Sequence, residues 1–166
     1  MYNSIESFSQ DFEHEKNSTL KYFKNITDDV LENKLHENVR TIGWLSWHII
    51  VTISEMTNTA GLKVAGPADE NVQPNSMQAM VAQYLSSCES AIKEIQNTWT
   101  DAQLDDEVSM YGQQWKKGVV LSALLFHQTH HRGQLSILMR LQGLKVPGII
   151  GPAKEEWGAW GMPTAK

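Results

Sequence analysis

Residues 127–134, "HQTHHRGQ", place three of the chain's six histidines within five positions. Histidine is the commonest metal ligand in proteins and titrates near neutral pH. On an α-helix, residues four apart lie one turn apart on the same face, so His127 and His131 can chelate one divalent ion. His130 is turned by about 100° from His131. It is therefore the weaker ligand candidate and is better suited to a supporting or surface position.

A third imidazole is expected from His48, in "GWLSWHII" (43–50), which lies beside an apolar helical stripe. Three histidine ligands would leave an open coordination position, as catalytic zinc sites do. Imidazole suits zinc, nickel, iron and copper alike. Both the single histidine and the pair also have a plainer interpretation, as core residues whose ring nitrogens are hydrogen-bonded. The residues alone do not show that the two helices touch.

Simpler roles are expected for four other polar residues. Arg132 is expected to bind a carboxylate on another helix, and Gln134 to hydrogen-bond a histidine or a water. Glu55, two turns after His48, is either a base near the site or an exposed helix residue, and the exposed position is favoured. Cys88 lies in a polar run without a basic neighbour and is not expected to be catalytic.

Four stretches carry helical periodicity, and these elements must position the histidines. The predicted helices cover about 4–26, 42–60, 77–99 and 119–142. Thr41 and Ser76 are expected to cap the second and third helices, and Gly143 to end the fourth. Residues 100–117 are expected to be an irregular polar loop, with no alternating strand pattern anywhere in the chain. The pattern predicts an all-α protein, a four-helix bundle in one domain (1–166) with a Gly/Pro/Trp-rich tail from about 143 to 166.

Composition narrows the classes of function. The net charge of -5 argues against nucleic-acid binding and against attachment to anionic lipid, because both require a surplus of Lys and Arg. Cys88 is the only cysteine, the N-terminus lacks the features of a secretory signal, and no apolar run reaches 18 residues. A soluble cytoplasmic protein is therefore expected.

The segments "RTIGWLSWHI" (40–49) and "HQTHHRGQLSILMRLQG" (127–143) resemble those of the DinB/YfiT-like metalloenzyme family, damage-inducible proteins unrelated to the polymerase of the same name. The resemblance covers essentially the whole chain. It implies a bundle with up-down-down-up topology, often a homodimer, and a divalent metal held by His48, His127 and His131. Nickel or zinc is the expected metal, with iron or manganese as alternatives.

The wider superfamily includes transferases and isomerases that use low-molecular-weight thiols, such as bacillithiol S-transferases and mycothiol-dependent enzymes. The resemblance therefore implies a metal-dependent enzyme, either a thiol-dependent S-transferase or a hydrolase of small molecules. The alternative is a non-catalytic metal-binding protein of a stress response. Neither the residues nor the resemblance assigns a catalytic side chain or a substrate.

Overall fold

Four long helices build the chain, as the periodicity predicts. The computed structural model describes residues 1–161 and 163, so the end of the predicted domain, 162 and 164–166, lies outside the described residues. The helices are α1 (Ile5–Phe23), α2 (Ile42–Thr59), α3 (Met77–Thr98) and α4 (Lys117–Leu141). Their apolar faces meet in one continuous core. Among the described residues, no helix combines the length and apolar character needed to cross a membrane.

Helices α1 and α4 run side by side in the same direction. The Tyr2 N–H donates to the Gly118 carbonyl near the start of both helices (3.1 Å). Further along both, the Arg132 guanidinium donates to the Thr19 hydroxyl (3.2 Å). Because Ile5 at the start of α1 donates its N–H to Asp101 just after α3 (2.8 Å), α3 runs in the opposite direction.

The linker 60–76 makes α2 and α3 parallel. After leaving the C-terminal end of α2 it runs back along that helix. The Ser54 hydroxyl donates to the Pro67 carbonyl (2.7 Å), and the Trp47 indole N–H donates to the Asp69 carbonyl (2.9 Å). Helix α3 therefore starts at the same end of the bundle as α2. The order is up-down-down-up, and the fold class expected from the sequence is confirmed.

The two predicted N-caps have different outcomes. The Thr41 hydroxyl accepts the N–H of Trp44 (3.0 Å) and caps α2 as predicted. Ser76 occupies the N-cap position of α3 as predicted, but its side chain makes no capping hydrogen bond. Asp28, in the 3₁₀ turn Asp28–Val30 after α1, accepts the Met77 N–H instead (2.8 Å). A carboxylate distant in sequence thus supplies the capping contact and ties α3 to the α1–α2 connection.

The predicted irregular segment contains a small β-hairpin, and this expectation is wrong. A 3₁₀ turn, Asp101–Asp105, precedes antiparallel strands β1 (Glu107–Met110) and β2 (Gln113–Lys116). Tyr111 and Gly112 connect them with positive φ angles of 50° and 80°, the backbone that a tight two-residue hairpin requires. Strands of four residues are too short for a clear alternation of polar and apolar residues, which is why the sequence pattern does not show them.

Candidate metal centre

The contact between α2 and α4 brings the three predicted ligands together. His127 Nε2 lies 3.2 Å from His48 Nε2 and 3.1 Å from His131 Nε2. One nitrogen atom from each ring lies within 4.8 Å of the other two, and all three side chains are half-buried. The structure therefore places one histidine from α2 against an i, i+4 pair from α4 at the rim of the bundle.

Each ring has an oxygen atom beside its other nitrogen. His48 Nδ1 lies 2.6 Å from a Glu70 carboxylate oxygen, and His131 Nδ1 lies 2.7 Å from the Gln134 side-chain oxygen. The Thr52 hydroxyl lies 3.4 Å from His127 Nδ1 and already donates its own proton to the His48 carbonyl (2.9 Å). All three oxygens are therefore acceptors, and each Nδ1 must carry the ring proton to donate to them.

The hydrogen bonds fix where the lone pairs point. A neutral imidazole with its proton on Nδ1 has an unprotonated Nε2, so three lone pairs converge on one small volume. For one Nε2 to donate a hydrogen bond to another, its ring would have to carry the proton on Nε2. The Nδ1 lone pair of that ring would then face an acceptor oxygen. Two nitrogens on one zinc ion at 2.0–2.1 Å lie roughly 2.9–3.4 Å apart when the angle between them is 90–110°. The two short distances in the cluster, 3.1 and 3.2 Å, fit that spacing.

Burial and mutual proximity keep the pair on α4 neutral. Burial, and after it the neighbouring imidazoles, lower the pKa of His127 to about 4. Burial also lowers the pKa of His131, partly opposed by its hydrogen bond with Gln134. At pH 7 both rings are neutral, which is the state that binds a metal.

Comparison with known proteins identifies the family of the chain and agrees with its fold. The model of the DinB family matches residues 1–162. The chain belongs to the DinB family. It is 34% identical to the uncharacterized protein YrdA of Bacillus subtilis (strain 168), over all of this chain and 99% of the relative.

Two solved DinB-like structures share the architecture of this DinB-family chain. A DinB-like protein from Bacillus cereus superposes with a TM-score of 0.85 at 33% identity, covering 90% of this chain and 99% of the other. A second, from Bacillus subtilis, has a TM-score of 0.67 at 17% identity, covering 89% of this chain and 99% of the other. The second likeness shows the fold alone. The family, the bundle and the three-histidine cluster together fit a metal-binding DinB-like protein.

Glu70 is the site residue that the sequence did not indicate. It lies in the linker 60–76, which carries no periodic pattern, and it reaches His48 only because that linker folds back along α2. The Asp69 carbonyl beside it accepts the Trp47 indole N–H, which fixes the linker at that point. A carboxylate on the outer nitrogen of a ligand histidine orients the ring and raises its basicity.

Replacing Glu70 with alanine is expected to weaken zinc or nickel binding by about 10- to 100-fold, the usual effect of losing such a partner. The His48 ring would lose the acceptor that fixes its orientation and its Nδ1 proton. Isothermal titration calorimetry of the metal-free chain measures the change. Glu89→Ala, which removes an exposed carboxylate from α3, is the matched control. Equal affinities for the two variants would contradict the orienting function of Glu70.

Acidification is expected to destabilise the metal-free chain through His127. Histidine titrates near pH 6.5 in an unfolded chain, whereas the pKa of His127 in the folded chain is about 4. Between these values the unfolded state binds more protons, so the free energy of unfolding falls as the pH falls from about 6.5 to about 4. Thermal melts should show a smaller loss between pH 7 and pH 5 in His127→Gln than in the parent chain. An unchanged pH dependence would contradict the prediction.

The remaining histidines of the sequence lie outside the cluster. His130 is exposed, and its Nε2 lies 3.3 Å from the Gln134 side-chain nitrogen. His14 and His36 are exposed, as expected from their polar surroundings. The cluster thus separates two of the three histidines in "HQTHHRGQ" from the third, as helical phase predicts.

The other motif residues have defined contacts. Arg132 pairs with Glu15 on α1 (2.7 Å), which confirms the expected carboxylate on another helix. Gln134 binds His131 as described above. Glu55 accepts a hydrogen bond from the Tyr111 hydroxyl (2.7 Å) and has no contact with the three histidines among its described hydrogen bonds. Cys88 is buried, and burial raises the pKa of its thiol to about 12.

Proposed function

We propose that this protein is a divalent-metal-dependent enzyme whose metal is held by the Nε2 atoms of His48, His127 and His131. The observation that carries the proposal is the convergence of three unprotonated nitrogens, each with its opposite nitrogen hydrogen-bonded to an acceptor. A cation is the partner that such an arrangement lacks. Nickel and zinc suit three imidazoles, with iron and manganese as alternatives.

A catalytic metal is favoured over a structural one. Structural zinc sites are closed by four protein ligands, whereas catalytic sites keep a position for water or substrate. The three side chains here are half-buried at the rim of the bundle, so small molecules can reach the cluster. A divalent ion bound there would supply Lewis acidity, which lowers the pKa of a thiol or water that it binds.

The chain's own residues prepare this chemistry without supplying the nucleophile. Glu70, Gln134 and Thr52 hold the three ring protons on the outer nitrogens. Cys88 is buried and held as a neutral thiol, so it is not available as a nucleophile. The reaction we propose therefore uses a nucleophile from solution, either a low-molecular-weight thiol in an S-transferase or water in a hydrolase. Its substrate is an electrophilic small molecule.

The alternative is a DinB-family protein that binds metal in a stress response without turnover. Metal analysis of the purified chain is expected to find about one divalent ion per chain under both functions. The metal-loaded chain is then assayed with glutathione, bacillithiol or another thiol and an aromatic electrophile, and with small ester and amide substrates. Turnover that disappears in His127→Ala supports the enzyme. A metal-replete chain that turns over none of these substrates favours the non-catalytic function.

Further properties belong to the same proposal. The acidic chain acts on small molecules in the cytoplasm and binds neither nucleic acid nor membranes. It forms a homodimer through a patch of exposed apolar side chains, Met1, Phe126 and Ile150, which line one cavity. Light scattering coupled to size-exclusion chromatography measures the oligomeric state, and Phe126→Glu is the variant that should dissociate such a dimer.

A further inference from the structure

Arg40 lines two cavities, and each of them includes a residue that contacts the histidine cluster. The first, here called the basic cavity, has a volume of about 380 Å³ and is lined by Lys34, Glu37, Arg40 and Trp44, among others. The second, the apolar cleft, has a volume of about 370 Å³ and also includes Arg40. Each volume is within the range of small-molecule sites.

Both cavities reach residues that contact the candidate metal ligands. The Trp44 indole in the basic cavity is stacked on the His48 ring, with centroids 4.8 Å apart and planes 13° apart. Gln134, which accepts the His131 ring proton, lines the apolar cleft. A molecule bound across Arg40 would therefore lie one residue away from the cluster.

The guanidinium of Arg40 is positioned, yet its N–H groups are not engaged. Its Cζ lies 4.2 Å from the centre of the Trp44 ring, a cation–π contact that orients the guanidinium plane. Within residues 1–161 and 163, Arg40 makes neither an ion pair nor a side-chain hydrogen bond. A guanidinium presents five donors in a planar fork that matches the two oxygens of a carboxylate. The cation–π contact thus holds a carboxylate-binding group against the indole that stacks on His48.

The apolar cleft supplies the complementary part of a ligand site. Leu45 of α2 lines it together with Ile137 and Leu141 of α4. Ile137 and Leu141 are 61% and 67% exposed, so the cleft presents apolar surface to solvent. An aliphatic or aromatic group in the cleft would remove these side chains from water.

We propose that Arg40 binds the carboxylate of a small monocarboxylate whose apolar body occupies the cleft. Charge favours a monoanion over a phosphate dianion, because Lys34 and Arg40 with Glu37 leave a single net positive charge in the basic cavity. The further claim that the histidine cluster processes this carboxylate rests on the proposed function. The claim that the carboxylate binds to Arg40 does not rest on it.

The test uses hexanoate as the probe, with the purified full-length chain and ligand-observed NMR titration. Hexanamide has the same body without the charge, and hexyl phosphate carries a different anion. Arg40→Gln is expected to weaken hexanoate binding by about tenfold or more, the effect of losing a charge-assisted bidentate contact. Arg140→Gln, which removes an equal charge from an exposed ion pair with Glu155, should leave it unchanged.

The outcomes separate this inference from the metal proposal. Hexanoate binding that depends on Arg40, exceeds hexanamide binding by about tenfold and persists in His127→Ala supports the carboxylate site, whatever the metal content. Equal binding by the parent chain and Arg40→Gln overturns it, as does equal binding of hexanoate and hexanamide. Tighter binding of hexyl phosphate than of hexanoate also overturns it. Metal content measured on the same samples tests the histidine cluster separately, and Arg40→Gln should retain the metal.

Discussion

The His127→Ala variant is expected to bind zinc or nickel more than about 100-fold more weakly than the parent chain. Loss of an outer partner of a ligand already costs about 10- to 100-fold, and loss of a ligand itself should exceed that. His127 is the central member of the cluster, because its Nε2 is within 3.2 Å of both other Nε2 atoms. Its removal would leave one ligand on α2 and one on α4 without the nitrogen between them.

Metal analysis of the purified variants and calorimetric titration of the metal-free chains measure this effect. His48→Ala and His131→Ala should behave like His127→Ala. The matched control is His130→Ala, which removes the same residue type from the same helix but from an exposed position. Loss of the metal in His130→Ala with retention in His131→Ala would show that helical phase assigns the wrong histidine. Circular dichroism should show the same helix content in all four variants.

The sequence predicted the helices well because their periodicity extends over 18–25 residues. It also separated His127 and His131 from His130, since the turn per residue of an α-helix depends on no distant contact. How deeply His127 and His131 are buried was predicted less well. Gln128, one position along from His127, is fully buried and accepts a hydrogen bond from Tyr84, whereas His127 and His131 lie at the edge of the core. An apolar stripe about 100° wide shows which side of a helix faces the core, but it does not show where on that side the buried region ends.

What the sequence missed depends on contacts between segments that have no periodicity. Glu70 reaches His48 because the linker 60–76 folds back along α2, and Asp28 caps α3 across the bundle. The position of His48 against α4 also depends on tertiary packing. The residues alone did not show this contact, and only the resemblance to the family implied it. Loop residues of this kind could have been proposed only as unassigned acidic side chains near a histidine-rich site.

The second large effect is expected at the buried ion pair between α1 and α4. Arg132 and Glu15 are 2.7 Å apart, and their side chains are only 5% and 13% exposed. The Thr129 hydroxyl also donates to Glu15 (2.9 Å), and the Arg132 guanidinium donates to Thr19 (3.2 Å). Each side chain in this network thus has a partner, and removal of either charged side chain leaves the other charge buried without compensation.

Glu15→Ala is therefore expected to lower the free energy of unfolding by about 3–5 kcal/mol, the typical effect of breaking a buried pair from one side. For a chain of this size that corresponds to a fall in melting temperature of roughly 6–20 °C. The exposed pair of Lys116 and Asp105 provides the control. Lys116→Ala should change the stability by less than about 1 kcal/mol. Urea unfolding of the metal-free chains measures both effects.

A double replacement distinguishes a net stabilising pair from a costly but satisfied one. Desolvation of two charges offsets most of their attraction, so Glu15→Leu combined with Arg132→Met should recover most of the stability that Glu15→Ala loses. If the double variant is as unstable as Glu15→Ala, the pair itself stabilises the bundle strongly. Because Arg132 points to α1 and not to the histidine cluster, the double variant should also retain its metal. Retention would show that "HHRGQ" combines a metal-binding face with a separate contact that anchors α4 to the bundle.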